Sequence, residues 1–128
     1  MTVFIFQPRF VQPILARKKR QTIRETSRCE PNDILSLRAW ESKAYRSRQV
    51  EIIPPVVCDS VLPLRLSLVP FDNRADIAIG STVLTHDEVC RFVRADGFDC
   101  VSDFVGHWVH LGIIDFDGYL IEWRYADE

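Results

Sequence analysis

The chain has 128 residues, 47% of them apolar, and a formal net charge of −2, which predicts a single domain with one real core. No apolar run is long enough for a membrane-spanning helix, and the opening MTVFIFQPRF lacks the basic-then-apolar layout of a secretory leader, so a cytoplasmic location is expected. Cys29, Cys58, Cys90 and Cys100 are widely spread with no C-x-x-C pair, which argues against zinc and for reduced thiols.

In chain order, the β-branched and aromatic run Thr2–Phe6 predicts a first strand. Residues 8–17 predict a short helix, with Phe10, Ile14 and Leu15 on one stripe. Pro13 falls in its first turn or bends it. Arg17, Lys18, Lys19 and Arg20 follow without a break, part of them as a cap on the carbonyl end of that helix. Thr22, Ile23 and Arg24 then alternate as a strand does. Residues 25–32 are polar and close on the turn signal Pro31-Asn32. Ile34–Trp40 alternates again, with Arg38 and Trp40 on one face.

Residues 45–53 predict another strand, stopped by Pro54-Pro55. Val56–Val69 is apolar but contains Pro63, so a bent strand, an edge strand or two short strands are expected. Residues 70–76 are expected to be a loop, and 77–84, with Gly80 inside, a hairpin or strand. The clearest helix is 85–95: Thr85 and Glu88 have capping-box spacing, and Gly97 suits the exit. A second amphipathic helix runs from about 102 to 110. Asp115-Phe116-Asp117-Gly118 is expected to turn the chain into a last strand over 119–125. The pattern predicts an α+β fold with a mostly antiparallel sheet.

Charge is divided unevenly. Residues 1–50 hold eleven Lys or Arg against four Asp or Glu, whereas residues 51–128 hold five against fourteen. Two readings follow: a surface facing a polyanion, or two halves that neutralise each other across one fold.

The motif Arg9-Phe10, Ile14-Leu15-Ala16, Lys19 and Thr22-Ile23-Arg24 resembles the opening segment of the ASCH domain family, in the PUA-like superfamily of RNA-associated small barrels. Arg17 stands where that family has Gly, and Asn32-Asp33 where it has Gly-Asp. The resemblance implies a PUA-like small β-barrel with about three short helices. It also implies, from small bacterial members, an amidohydrolase acting on N-acetylated cytidine. The family's catalytic Lys and Thr fall on Lys19 and Thr22, and its acid on Asp96, one methylene shorter than the family Glu.

The chemistry asks for these residue types. A hydroxyl attacks a carbonyl only when a neighbouring base takes its proton. A Lys is such a base when burial or nearby cations lower its pKa, and Arg17, Lys18, Arg20 and Arg24 flank Lys19. Arg24 would bind substrate or hold the oxyanion. A second constellation, Arg38, Trp40, Tyr45, Arg46 and Arg48, mixes guanidinium groups with aromatic faces. Such a mixture suits single-stranded nucleic acid, with bases stacked on rings and cations on phosphates; Trp40 is equally at home in a core. The resemblance thus implies an amidohydrolase on a modified nucleoside first, with a non-catalytic RNA-binding module and, from other ASCH relatives, a ribonuclease as the alternative expectations. No metal or organic cofactor is implied. His86, His107 and His110 show no H-E-x-x-H spacing, and His107 and His110 are expected to flank the Trp108 face as ordinary helix residues.

Overall fold

A computed structural model describes residues 1–128. Strand β1 (Thr2–Phe6) leads through a 3-10 turn at Pro8–Phe10 into helix α1 (Val11–Leu15). Pro13 is the third residue of α1, where a missing N–H has no intrahelical partner to lose. The helix is closed by the Pro13 carbonyl, which accepts from both Lys18 N (2.9 Å) and Lys19 N (3.0 Å). Arg17 adopts a left-handed φ of 59° in that exit. Strand β2 (Gln21–Arg24) follows at once.

Next come β3 (Ile34–Trp40), β4 (Gln49–Glu51), β5 (Val56–Val69), β6 (Arg74–Ile79) and β7 (Thr82–Val83). Helices α2 (His86–Ala95) and α3 (Val101–His110) precede the last strand, β8 (Asp115–Arg124). The fold is α+β: an eight-stranded mixed sheet, mostly antiparallel, with three helices. No helix is long and apolar enough to cross a membrane. Twenty-five buried apolar side chains form one cluster, with Phe4, Leu35, Leu37, Ile121 and Phe104 at its centre, so the chain has one core.

Several expectations are corrected. The strand expected over 45–53 is only Gln49–Glu51, because Tyr45 takes a left-handed φ of 63° and residues 44–46 turn. Val56–Val69 is one continuous strand. Pro63 is tolerated because its carbonyl accepts from Gly80 N (2.8 Å) at the end of the β6 ladder. N–H and C=O of one strand residue point to the same side, so the missing donor faces the point where the neighbour runs out. The loop expected over 70–76 ends early, since β6 begins at Arg74.

The turn expected at 115–118 is instead the start of β8, paired with β5 from Ser67↔Asp115 onward. Gly118 is there for close approach: a Cβ on it would lie 2.5 Å from the Arg24 carbonyl oxygen.

The topology positions the site. β5 pairs with β3, β6 and β8; β8 pairs with β2; β1 pairs in parallel with β3. β1 and β2 do not pair with each other, so the closed barrel expected from the family resemblance is not formed. Guanidinium groups bridge the open seam. Arg24 Nη2 donates to Ile5 O at 3.1 Å and Arg28 Nη2 to Val3 O at 2.6 Å. The free edge of β1 thus keeps partners without a neighbouring strand.

Candidate active site

A cavity of about 220 Å³ opens at the seam. It is lined by Ile5, Phe6 and Gln7 from the end of β1, Lys19 before β2, and Thr22, Ile23 and Arg24 on β2. Phe10, Asp96, Phe98, the α3 residues His107 and Trp108, and Leu111 just after α3 complete the wall. The three residues expected to be catalytic therefore share one concavity. Lys19, Thr22 and Asp96 are 2%, 5% and 4% exposed.

Local backbone geometry puts Lys19 there. Asp96 is the C-cap of α2, whose start carries the full capping box of Thr85 and Glu88. Gly97 then turns the chain with φ 101°, a region open to glycine and costly for residues with a Cβ. The Lys19 stem passes close beneath: a Cβ on Gly97 would lie 3.1 Å from Lys19 Cδ and 3.0 Å from Phe10 Cδ1. Arg20 N donates to Ala95 O at 2.9 Å, and the Tyr125 hydroxyl donates to Lys19 O at 3.2 Å. The backbone of Lys19 is thereby pinned to both α2 and the end of the chain.

The ammonium end of Lys19 donates to the Asp96 main-chain oxygen at 2.5 Å and stands 3.6 Å from the Asp96 carboxylate. It also lies 4.4 Å from the Phe10 ring centroid, within cation–π range. Burial lowers the Lys19 pKa against the opposing pull of Asp96, and Arg24 lowers it further. Burial likewise raises the Asp96 pKa against the pull of Lys19. Both groups are pushed toward their neutral forms, which for a lysine is the basic form. Gln21 Nε2 reaches Asp96 Oδ1 at 3.4 Å.

Thr22 is held differently. Its hydroxyl oxygen accepts from Arg24 Nε at 3.1 Å and makes no bond to Lys19. The Arg24 guanidinium rests 5.1 Å from the centroids of both Phe4 and Phe6. Burial, then Arg28, lowers its pKa to about 10, so it stays cationic at neutral pH. A fixed cation on the Thr22 oxygen favours the alkoxide that loss of the hydroxyl proton would generate.

The expected binding residues divide. Arg24 lines the cavity, and also a wider groove of about 940 Å³ that shares Ile5, Phe6 and Gln7 with it and extends to Glu25, Arg28, Trp40 and Tyr45. Trp40 is half-buried rather than core, its ring centroid 5.2 Å from that of Tyr45. Arg38 lies outside both spaces, its Nε bonded to Ser36 Oγ at 2.9 Å. Arg46 is exposed on the 41–48 loop and lines neither; Arg48 pairs with Glu41 at 3.5 Å.

Part of the basic cluster is structural. Arg17 and Arg20 stack on Tyr125 and pair with Asp127 and Glu128, both at 2.9 Å.

Sequence reasoning missed Gln21, His107 and Trp108. His107 reads as an ordinary helix residue, yet α3 carries it to the cavity wall, and the buried Trp108 Nε1 beside it has no hydrogen-bond partner. Only tertiary packing of α3 against the seam brings them in; no local spacing announces it. Neither a protein-family model, nor a curated protein, nor a solved structure matches the chain.

Proposed function

We propose that the chain is an amidohydrolase acting on an acylated nucleoside of the N-acetylcytidine type, built on a PUA-like variant whose barrel is left open at the β1–β2 seam. The observation that carries this reading is the buried Lys19, driven toward its neutral form in the same cavity as Thr22. Lys19 takes the Thr22 proton as the hydroxyl oxygen attacks the amide carbonyl. Arg24 holds the developing negative charge. Asp96 fixes Lys19 through its main-chain oxygen and its carboxylate. The C–N bond then breaks, and the departing amine takes its proton from Lys19. Water finally hydrolyses the acyl ester on Thr22.

The resemblance to the ASCH family supports the same residues. Of the departures from the family pattern, Arg17 and Asn32 both stand in for glycine, and both adopt left-handed backbone, φ 59° and 76°. The backbone thus keeps a glycine-like conformation where the side chain has changed.

The test is incubation of the purified protein with N-acetylcytidine, following cytidine release by chromatography. Turnover by the wild type and its loss in Lys19→Arg are expected, because Arg cannot give up its proton. No wild-type turnover would defeat the substrate; equal turnover in the variant would defeat the mechanism.

A second reading, a non-catalytic RNA-binding module, is favoured by the adjoining groove. Its Trp40–Tyr45 pair and Arg28 are a stacking platform beside a cation. On that reading Lys19→Arg keeps affinity and no deacylated product forms.

A further inference from the structure

We propose that His107 is the base that activates water in the second half of the reaction, so that acylation and deacylation of Thr22 rely on different side chains. This rests on the amidohydrolase reading above. His107 reaches the cavity from α3, an element that contributes nothing to the Lys19–Thr22–Asp96 group. Its ring is fixed by three aromatic neighbours, with centroids 5.9 Å from Phe10, 5.1 Å from Phe98 and 6.0 Å from Trp108. It makes no side-chain hydrogen bond to the protein. The ring is therefore oriented by packing while both nitrogens are left for a ligand.

Its exposure fits the task. Lys19 is 2% exposed behind Phe6 and Phe10, whereas His107, on the wall of the same cavity, is only half-buried. The charged and titratable groups around it are Arg9 from the turn before α1, Lys19, and Asp103 and His110 on its own helix. Burial and Arg9 together lower its pKa below 6.5, so the imidazole is neutral, the proton-accepting form, at neutral pH.

The step balances. A water oxygen bonds to the acyl carbon while its proton passes to His107. The tetrahedral intermediate then breaks its bond to Thr22 Oγ. The departing oxygen takes the same proton back from His107, leaving a free carboxylic acid and the threonine hydroxyl.

The experiment is rapid-mixing kinetics of His107→Gln with N-acetylcytidine, with intact-protein mass spectrometry. The expected result is a burst of about one equivalent of cytidine at the wild-type rate. A steady state slowed ~100-fold or more follows, the range of a lost general base, and an acetylated protein accumulates. Adding hydroxylamine, a nucleophile that needs no base, should restore turnover as the hydroxamate. Unchanged steady-state turnover overturns the proposal, and so does loss of the burst itself, which would place His107 in acylation or binding.

A second measurement stands if the variant does not fold. Deacylation in the wild type, followed in single turnovers, should fade in acid with an apparent pKa below 6.5; a flat profile there overturns the proposal. Absence of any wild-type turnover removes the amidohydrolase reading and the proposal with it, an outcome distinct from a wild type that turns over without needing His107.

Discussion

Lys19 and Asp96 are buried together, and each distorts the other's titration. Asp96 is the charge that opposes the lowering of the Lys19 pKa, so its neutralisation has a counterintuitive sign. In Asp96→Asn the Lys19 pKa falls further, and the neutral base appears at lower pH. On the amidohydrolase reading, the rising limb of kcat/KM against pH should therefore move toward acid, even as the maximum drops because Lys19 is less well held; an alkaline shift would refute Lys19 as the base. Stability gives a second check. Lys19→Met strands Asp96, whose folded pKa, already above 3.8 through burial, rises further without the ammonium that lowers it. Between those values the native state binds more protons than the unfolded chain, so stability falls as pH rises. Breaking one side of a buried pair costs roughly 3–5 kcal/mol, whereas replacing both sides is often nearly neutral. Urea unfolding should show Lys19→Met losing stability from mildly acidic to neutral pH, and Lys19→Met with Asp96→Asn recovering most of it. A deficit independent of pH would mean that packing alone is at stake.

Elements connect these residues through a few constrained backbone positions, and Gly97 is the most exposed to test. Gly97→Ala would force a Cβ into φ 101° and against Phe10 and the Lys19 stem. A residue held in such backbone costs about 1–3 kcal/mol. The variant should lose that much in chemical denaturation and should lose activity beyond what stability explains, because Lys19 must shift to make room. Full activity would show that the Lys19 position is not set by the α2 exit. This exit was legible in the sequence because its signals are local: Thr85 and Glu88 cap one end and Gly97 the other. Where local signals compete with pairing across the sheet, they mislead. Asp115-Phe116-Asp117-Gly118 has turn composition, but Leu64, Arg65, Leu66 and Ser67 of β5 offer it a ladder, and Gly118 is needed for the approach of the Arg24 carbonyl rather than for a turn. Pro63 likewise argues for a break only until the end of β6 is known.

Across the whole molecule, part of the contrast between a basic first half and an acidic second half is neutralised internally. Arg9 pairs with Asp103, Arg17 with Asp127, Lys19 with Asp96 and Arg20 with Glu128, each joining the two halves. The parallel β1–β3 pairing and the open seam were not readable, because they depend on contacts between residues far apart in sequence; that Lys19, Thr22 and Asp96 line one cavity was expected only through the family resemblance, with Lys19 and Thr22 in its opening motif and Asp96 far along the chain. Arg28 remains in the groove, with Lys43 and Arg46 on the loop that also bears Tyr45. On the RNA-binding reading this makes a quantitative difference. A single-stranded ligand releases about 0.7 counterion per phosphate neutralised, so these three cations and Arg24, which also lines the groove, give a slope of log K against log salt of about −3. The seven-charge excess of residues 1–50 would give a steeper one. Arg28→Ala and Arg46→Ala should each flatten that slope, whereas Arg17→Ala, whose guanidinium is held by Asp127 and Tyr125, should leave it unchanged. Tyr45→Ala should weaken binding by ~1–3 kcal/mol, the worth of one stacked base, with the slope intact. Fluorescence anisotropy with a short labelled RNA across a salt series measures all four. Affinity indifferent to salt, or absent at low salt, would leave the groove without a nucleic-acid role. A slope that flattens in Arg17→Ala would instead place the polyanion at the opposite end of the basic segment, against the chain terminus.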